Sequence, residues 1–409
     1  MILKTDWRRM PMRKNSKKAK FREALFFLII ALVLALITAG VVRLMQTRRQ
    51  YNAAAGLSEV EQYEDAVHDY DALGDYRDSE RRKQEAETLR AQKEYEAGQR
   101  NLVSGNLLRA AMRFGSAGDY LDARSQSFEL WDRLARRNTL AAGERHTVAL
   151  LESGSVVAAG DNSNGACNVS FWSDVVAVAA GADFTLGLKS DGSVLLAGEV
   201  NDSFARTVES WQDIISVNAR SDTAVALKSD GTVLVAGGSV PQSELNDWAY
   251  ISDVFLCRSG AVVGLKIDGT LAVAGSRSDS GLAEIQTWSG VRYAEGDFGL
   301  HSDGRMLSVS EDYDVSDWEN ILEFALDDDF IVGVRTDGTV AVAYRSGGAA
   351  RLPLTEWTEI VEIAAGDGYA VGLKNDGTAI ATAPEEAHDY GQCDVSGWRK
   401  IRIPLSVAS

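Results

Sequence analysis

One short hairpin is written over and over in this chain. "LKSDGSVLLAGE" at 188 returns as "LKSDGTVLVAGG" at 227, "LKIDGTLAVAGS" at 265 and "LKNDGTAIATAP" at 373. An Asp-Gly pair between β-branched runs turns a strand back on itself, because Gly takes positive φ without steric cost; the pattern predicts a type I′ turn. The signal recurs at Ser153-Gly154, Asp191-Gly192, Asp230-Gly231, Asp268-Gly269, Asp303-Gly304, Asp337-Gly338 and Asp376-Gly377, at intervals of 38, 39, 38, 35, 34 and 39 residues. A Trp follows each hairpin, at 172, 211, 248, 288, 318, 357 and 398, and only Trp7 and Trp131 stand outside the series. Those seven Trp read as core packing at a repeated position.

Each repeat orders strand, short loop, strand, Asp-Gly turn, strand, longer loop, Trp. Three antiparallel strands in about 38 residues cannot bury their faces alone, so each unit must stack on its neighbours. A linear β-solenoid and a closed ring are both open to such units, and seven copies favour the ring, which leaves no edge to cap. The ends agree: the series opens on "NTLAAGERHTVALLESG", with Leu134 where a Trp would stand nine residues before Gly143, and stops on "WRKIRIPLSVAS" without a hairpin. The C-terminal segment is thus expected to complete the first unit. The fifth unit is four residues short before Gly304, and an irregular strand is expected there.

Charge is unevenly spread. Residues 1–50 hold 12 Lys/Arg against 2 Asp/Glu, which leaves the rest of a −17 chain at −27. Within that basic head, "ALFFLIIALVLALITAGVV" offers nineteen uncharged, mostly apolar residues, the length of a bilayer-crossing helix. Nine Lys/Arg before it and Arg43, Arg48 and Arg49 after it place the N-terminus inside. The expectation is a cytoplasmic tail over 1–23, an uncleaved transmembrane anchor over 24–42 and an extracytoplasmic remainder on a bacterial cell surface; a cleaved signal peptide is the rival.

Residues 51–137 lack Pro and are rich in Ala, Glu, Arg and Gln, so they read as helical. "YEDAVHDYDALGDYRDSE" at 63 is echoed 44 residues on by "NLLRAAMRFGSAGDYLDAR", pairing Ala66 with Ala110, Tyr70 with Phe114, Gly74 with Gly118 and Asp78 with Asp122. The pattern resembles tetratricopeptide-like helical hairpins. It serves either as a stalk that spaces the repeats or as a peptide groove.

No G-x-S-x-G, Walker A loop, H-E-x-x-H or G-x-G-x-x-G occurs, and the four His lack a second ligand at metal spacing. No cofactor or metal is expected. "DNSNG" at 161 departs from a calcium loop at Ala166 and Trp172. Cys167, Cys257 and Cys393 are too few for a disulfide scaffold; Cys167 and Cys393 come within bonding reach only in a tight closed ring, and free thiols are the commoner state.

"AAGDNSNGACNV", "DYGQCDVSGW" and the seven hairpins resemble the regulator-of-chromosome-condensation repeat over 138–409, and more closely its short bacterial form, as in β-lactamase-inhibiting propellers. That resemblance implies a mainly β fold, a seven-bladed β-propeller over 138–409, preceded here by the membrane helix and the helical stalk over 51–137. It implies a non-enzymatic scaffold whose work sits in its loops. Nucleic acid is a poor partner for a −27 body. In the inhibitory propellers, aromatic residues in the loop after the first strand make the contacts. The corresponding slots, eight residues before each hairpin Gly, hold His146, Phe184, Thr223, Ala261, Phe330 and Tyr369, with no clean fifth-unit equivalent. Asp183, Asp222, Asp297, Asp328, Asp329 and Asp367 stand beside them. Rings with carboxylates suit a protein or peptide, and a basic one; cell-wall glycan is the alternative and an unrecognised hydrolase the third. Strand parity sets these slots on the face opposite the Asp-Gly turns.

Overall fold

The computed structural model describes residues 16–59, 61–134, 138–275, 280–346, 352–382 and 389–404. The chain divides into two compact units, Met1–Gln92 and Lys93–Ser409.

Helix α1 runs without a break from Ser16 to Glu59, carrying the apolar run and then continuing through Arg43, Arg48 and Arg49. Among the described residues no helix is long and apolar enough to cross a membrane. The single-pass anchor over 24–42 and the extracytoplasmic placement of the repeats are corrected accordingly, and with them the cytoplasmic tail over 1–23, of which residues 1–15 lie outside the described residues. The nineteen-residue run is one stretch of a helix of mixed polarity that Ala, Arg and Gln sustain on to Glu59.

The 44-residue echo is a true structural repeat. Helix α2 (Tyr63–Leu73) ends on Gly74 at φ 51°, and α4 (Leu107–Ala117) ends on Gly118 at φ 59°. Helices α3 (Ser79–Val103) and α5 (Ala123–Leu134) follow. Tyr51 stacks edge-on against Tyr76 at 5.9 Å and its hydroxyl bonds Asp78; Tyr95, 44 residues on, stacks against Tyr120 at 5.8 Å and bonds Asp122 at 2.8 Å.

From residue 138 the described chain forms seven three-stranded antiparallel sheets, each in simple sequence order. They span 140–160, 175–198, 214–237, 251–274, 291–308, 321–344 and 360–381, and are numbered sheets 1 to 7. Every sheet packs on the next, and sheet 7 packs on sheet 1, so the contacts close on themselves. The expected completion of the first unit is present: Ile401 bridges Leu151, and Arg402 N–H donates to Leu150 O at 2.8 Å. The seam is also stitched by Glu362, whose carboxylate accepts from the backbone N–H of Thr139 at 2.8 Å and of Leu140 at 3.1 Å. Glu323 does the same one sheet earlier, accepting from Ile363 N–H at 2.6 Å. Burial and the Glu323 charge push the Glu362 carboxyl well above the ordinary range.

The hairpin turns are not type I′. Only the Gly has positive φ, as in Gly192 at 81° and Gly231 at 88°. Gly192 N–H donates to Lys189 O at 3.0 Å and Lys189 N–H to Ser193 O at 2.9 Å, which is a type I turn with a left-handed Gly forming a bulge. The Asp holds the turn from its side chain: Asp191 accepts Ser193 N–H at 3.0 Å and Asp376 accepts Thr378 N–H at 2.9 Å, and the carboxyl of Asp191 drops to about 2.

The Trp series is structural. A Cβ on Gly187 would lie 2.6 Å from the Trp172 ring and one on Gly333 2.7 Å from Trp318, so the small residue in strand two makes room for the indole. Two residues after each Trp the chain turns through positive φ, at Asp174, Asp213, Tyr250, Gly290, Asn320, Glu359 and Lys400. In the fifth unit the second strand is shortened to Phe298–His301, and its pairing carries a register shift between Val291 and Tyr293 of the kind the sixth and second sheets also show, so what sets this unit apart is a loss of length.

Candidate functional site

The seven loops between first and second strands converge at one end of the closed series. They surround a cavity of about 390 Å³ bordered by Gly143, Gly181, Arg220, Arg258, Glu295 and Asp327 among others. This is the mouth.

The slot residues stand at the mouth but do not face solvent. His146, Phe184, Phe330 and Tyr369 are 1%, 2%, 2% and 0% exposed. Expected as docking anchors, they are corrected to mortar between sheets. Tyr369 donates its hydroxyl to His146 O at 2.7 Å and accepts from the Thr147 hydroxyl at 3.1 Å, crossing from sheet 7 to sheet 1. His146 Nε2 meets the Thr185 hydroxyl of sheet 2 at 2.9 Å. Since that hydroxyl donates to Ala166 O, Nε2 carries the proton. Phe184 packs on Phe204 at 4.9 Å, in helix α6 (Asp202–Glu209), and Phe330 on Tyr344 at 6.4 Å. Phe298, buried at the head of its strand, supplies the fifth-unit equivalent that the spacing hid. Burial drives His146 down to about 4 and holds it neutral.

In three sheets the ring lies across a bare strand end. A Cβ on Gly181 would sit 2.2 Å from the Phe184 ring, one on Gly366 2.2 Å from Tyr369, and one on Gly143 2.5 Å from His146. Where the slot is small the rule reverses. Opposite Thr223 the strand ends in Arg220, and close to Ala261 lie Cys257 and Arg258. Between sheets 3 and 4 a second cavity of about 400 Å³ opens, lined by Arg220, Thr223, Gly238, Ser239, Arg258 and Ser259 among others.

The carboxylates remain at the surface. Asp222, Asp328, Asp329 and Asp367 are exposed and Asp183 is half-buried beside Arg145, 3.3 Å away. Asp327, missed from sequence, is buried: its carboxylate accepts from Asp329 N–H at 3.1 Å and Gly368 N–H at 3.2 Å, while burial pushes its carboxyl up. Glu144 is likewise raised by burial, with Asp367 and Asp183 adding. The basic residues were also missed. Arg220 lies 3.6 Å from Glu295, across from sheet 3 to sheet 5, and Arg258 3.4 Å from Asp328. Tyr390 is exposed and lies under Arg145 at 5.4 Å. The signal available in sequence was the break in slot size at Thr223 and Ala261, with Arg220 where Gly143, Gly181 and Gly366 stand elsewhere.

The opposite, hairpin end is partly occupied by the chain itself. Trp131 Nε1 donates to Ser229 O at 2.9 Å, Arg124 pairs with Asp213, and Gly115 approaches the Ser229 backbone so closely that a Cβ would lie 2.4 Å from its carbonyl oxygen. Helices α4 and α5 therefore clamp the turns of sheets 2 and 3. Cys167, Cys257 and Cys393 form no disulfide with one another, and burial pushes Cys167 up to about 11 and Cys393 up to about 12.

The family profile described as the Regulator of chromosome condensation (RCC1) repeat matches residues 139–166. No curated protein matches the chain. Among solved structures, the CRINKLY WD40 ectodomain of the Arabidopsis thaliana receptor kinase ACR4 is similar at 14% identity and TM-score 0.50, covering 66% of this chain and 99% of that one. Prp20p from Saccharomyces cerevisiae, whose structure is reported with its binding to Gsp1p and histones, is similar at 17% identity and TM-score 0.36, over 65% of this chain and 76% of that one. YCF48 bound to D1 peptide is similar at 10% identity and TM-score 0.33, over 62% and 96%. The chain is mainly β, with repeated three-stranded sheets and propeller-like neighbours. The tetratricopeptide likeness found no support among these comparisons.

Proposed function

We propose that residues 138–409 are a closed seven-bladed β-propeller, preceded by a helical segment over 51–137, and that it works as a binding scaffold taking a protein or peptide at the mouth. The observation that carries this reading is the inequality of the two ends. The hairpin end gives part of its surface to α4 and α5, whereas the mouth gathers loops from all seven sheets around an unfilled cavity. Five carboxylates named from sequence, Asp183, Asp222, Asp328, Asp329 and Asp367, stand at that end, which favours a partner with basic residues and fast, salt-sensitive association. Binding is favoured over catalysis because the mouth's histidine is buried and neutral and the flanking Cys167 and Cys393 thiols are held protonated. A glycan reading loses its footing, since the rings that would stack on sugar are buried.

The test uses fluorescein-labelled polylysine on the full chain, with Asp222, Asp328 and Asp367 changed together to Asn, and separately Asp191, Asp337 and Asp376. Binding that falls several-fold in the mouth set and holds in the hairpin set supports the reading. Loss confined to the hairpin set overturns it.

A further inference from the structure

The mouth contains a cationic site inside its acidic rim. Arg258 is fixed from one side: Nη1 donates to the Tyr313 hydroxyl at 2.8 Å, the guanidinium lies 5.3 Å from the Tyr313 ring centre, and Tyr313 in turn donates to Asp328 O at 2.6 Å. What that clamp leaves over is the other edge of the guanidinium. Nε and Nη2 are buried and make no hydrogen bond. Those two N–H groups are parallel and spaced to match the two oxygens of a carboxylate, and burying them unmet is costly. Arg220 points at the same place, its Nη2 3.9 Å from Asp328 Oδ1, the oxygen that lies 3.4 Å from Arg258 Nε. Both separations exceed the roughly 2.8 Å of a formed charge-assisted bond. Asp328 is itself 78% exposed, so it can leave at little cost. The cavity of about 400 Å³ beside the pair, with the hydroxyls of Ser221, Ser239 and Ser259 on its wall, gives an incoming group room.

We propose that Arg220 and Arg258 bind the carboxylate of a peptide, which displaces Asp328 from the guanidinium edge. The inference rests on the reading that the mouth is the docking end, and it deepens that reading: the partner carries basic residues for the rim and one carboxylate for the arginine pair. A monoanion is preferred to a phosphate dianion because Asp222, Glu295, Asp327 and Asp328 surround the site and oppose a second negative charge. The carboxylate can come from a side chain or from a chain terminus.

The experiment titrates full-length protein with labelled hexapeptides of five lysines and a sixth residue. The sixth is a glutamate amide, a glutamine amide, or a glutamine with a free terminal carboxylate. The glutamate or free-terminus probe is expected to bind about tenfold tighter than the glutamine amide, and whichever of the two does so identifies the source. Arg258→Lys, which keeps charge but loses the paired edge, should erase that preference. Asp328→Asn, at an exposed position that leaves folding intact, should enlarge it. Acetate should displace the preferred probe at lower concentration than inorganic phosphate. Equal binding of all three probes overturns the carboxylate site while leaving the acidic-rim reading in place; no binding of any probe overturns both. Better displacement by phosphate, or a preference unchanged in both variants, overturns the assignment.

Discussion

Sheets 7, 1 and 2 and sheets 3 and 4 are built from the same repeat, yet they finish the mouth in opposite ways. In the first group a ring lies across a glycine: Tyr369 over Gly366, His146 over Gly143, Phe184 over Gly181. In the second the slot shrinks to Thr223 and Ala261 and long side chains stand there instead, Arg220 at its strand end and Arg258 in the turn after Leu256. The end of the first strand thus serves cohesion in the first group and, in the reading we propose, recognition in the second. A buried ring stabilises by the apolar area it removes from water, whereas an arginine beside a cavity keeps donors available at some expense of packing.

The contrast makes graded predictions. Tyr369→Ala or Phe330→Ala should lower unfolding free energy by about 3 to 5 kcal/mol in urea titrations, and Thr223→Ala by about 1 kcal/mol or less. Equal losses at the two kinds of slot would remove the distinction. Next comes the histidine. With the native group held down to about 4, the unfolded chain protonates first as pH falls below its ordinary value near 6.5. Stability is therefore whole above that value and declines by roughly 3 kcal/mol as pH falls towards 4. His146→Gln should flatten this part of the curve, even if it lowers stability at pH 7. Gly181→Ala should cost on the order of 1 to 3 kcal/mol, since its new Cβ would lie 2.7 Å from Ser221 O as well as on the ring. A melting temperature within a degree of wild type would show that the ring moves aside freely. The smallest effect is expected from Asp183→Asn, which removes a partly exposed pair with Arg145 and should change stability by less than about 1 kcal/mol.

How much of this the sequence disclosed depends on how local the cause is. The seven hairpins, the Trp positions and the completion of the first sheet by Ile401 were legible, because turn chemistry and a fixed repeat length act over a few dozen residues. The turn type was misread, since Asp-Gly serves a left-handed bulge as readily as a type I′ turn and the deciding bonds run from the Asp side chain to the residue after the Gly. The burial of His146, Phe184, Phe330 and Tyr369 was not legible: the first residue of a strand looks the same beneath a neighbouring sheet as in open solvent. For His146, Phe184 and Tyr369 the glycine three residues upstream, Gly143, Gly181 and Gly366, was the missing half of the pattern. The apolar run in α1 shows the converse hazard, a strong local signal read without the helix that continues it. The docking of Trp131 on Ser229, 98 residues apart, had no local cause to read.

The bridge between Leu151 and Ile401 sets a timetable for synthesis. Leu151 leaves the ribosome early, yet the segment that pairs with it is made 250 residues later. Until then the first sheet keeps an unpaired border, and its neighbour across the seam, over 360–381, is complete only shortly before. A chain cut short before Ile401 would keep the bonds of Glu362 and Tyr369 across the seam but leave the outer border of the first sheet unpaired.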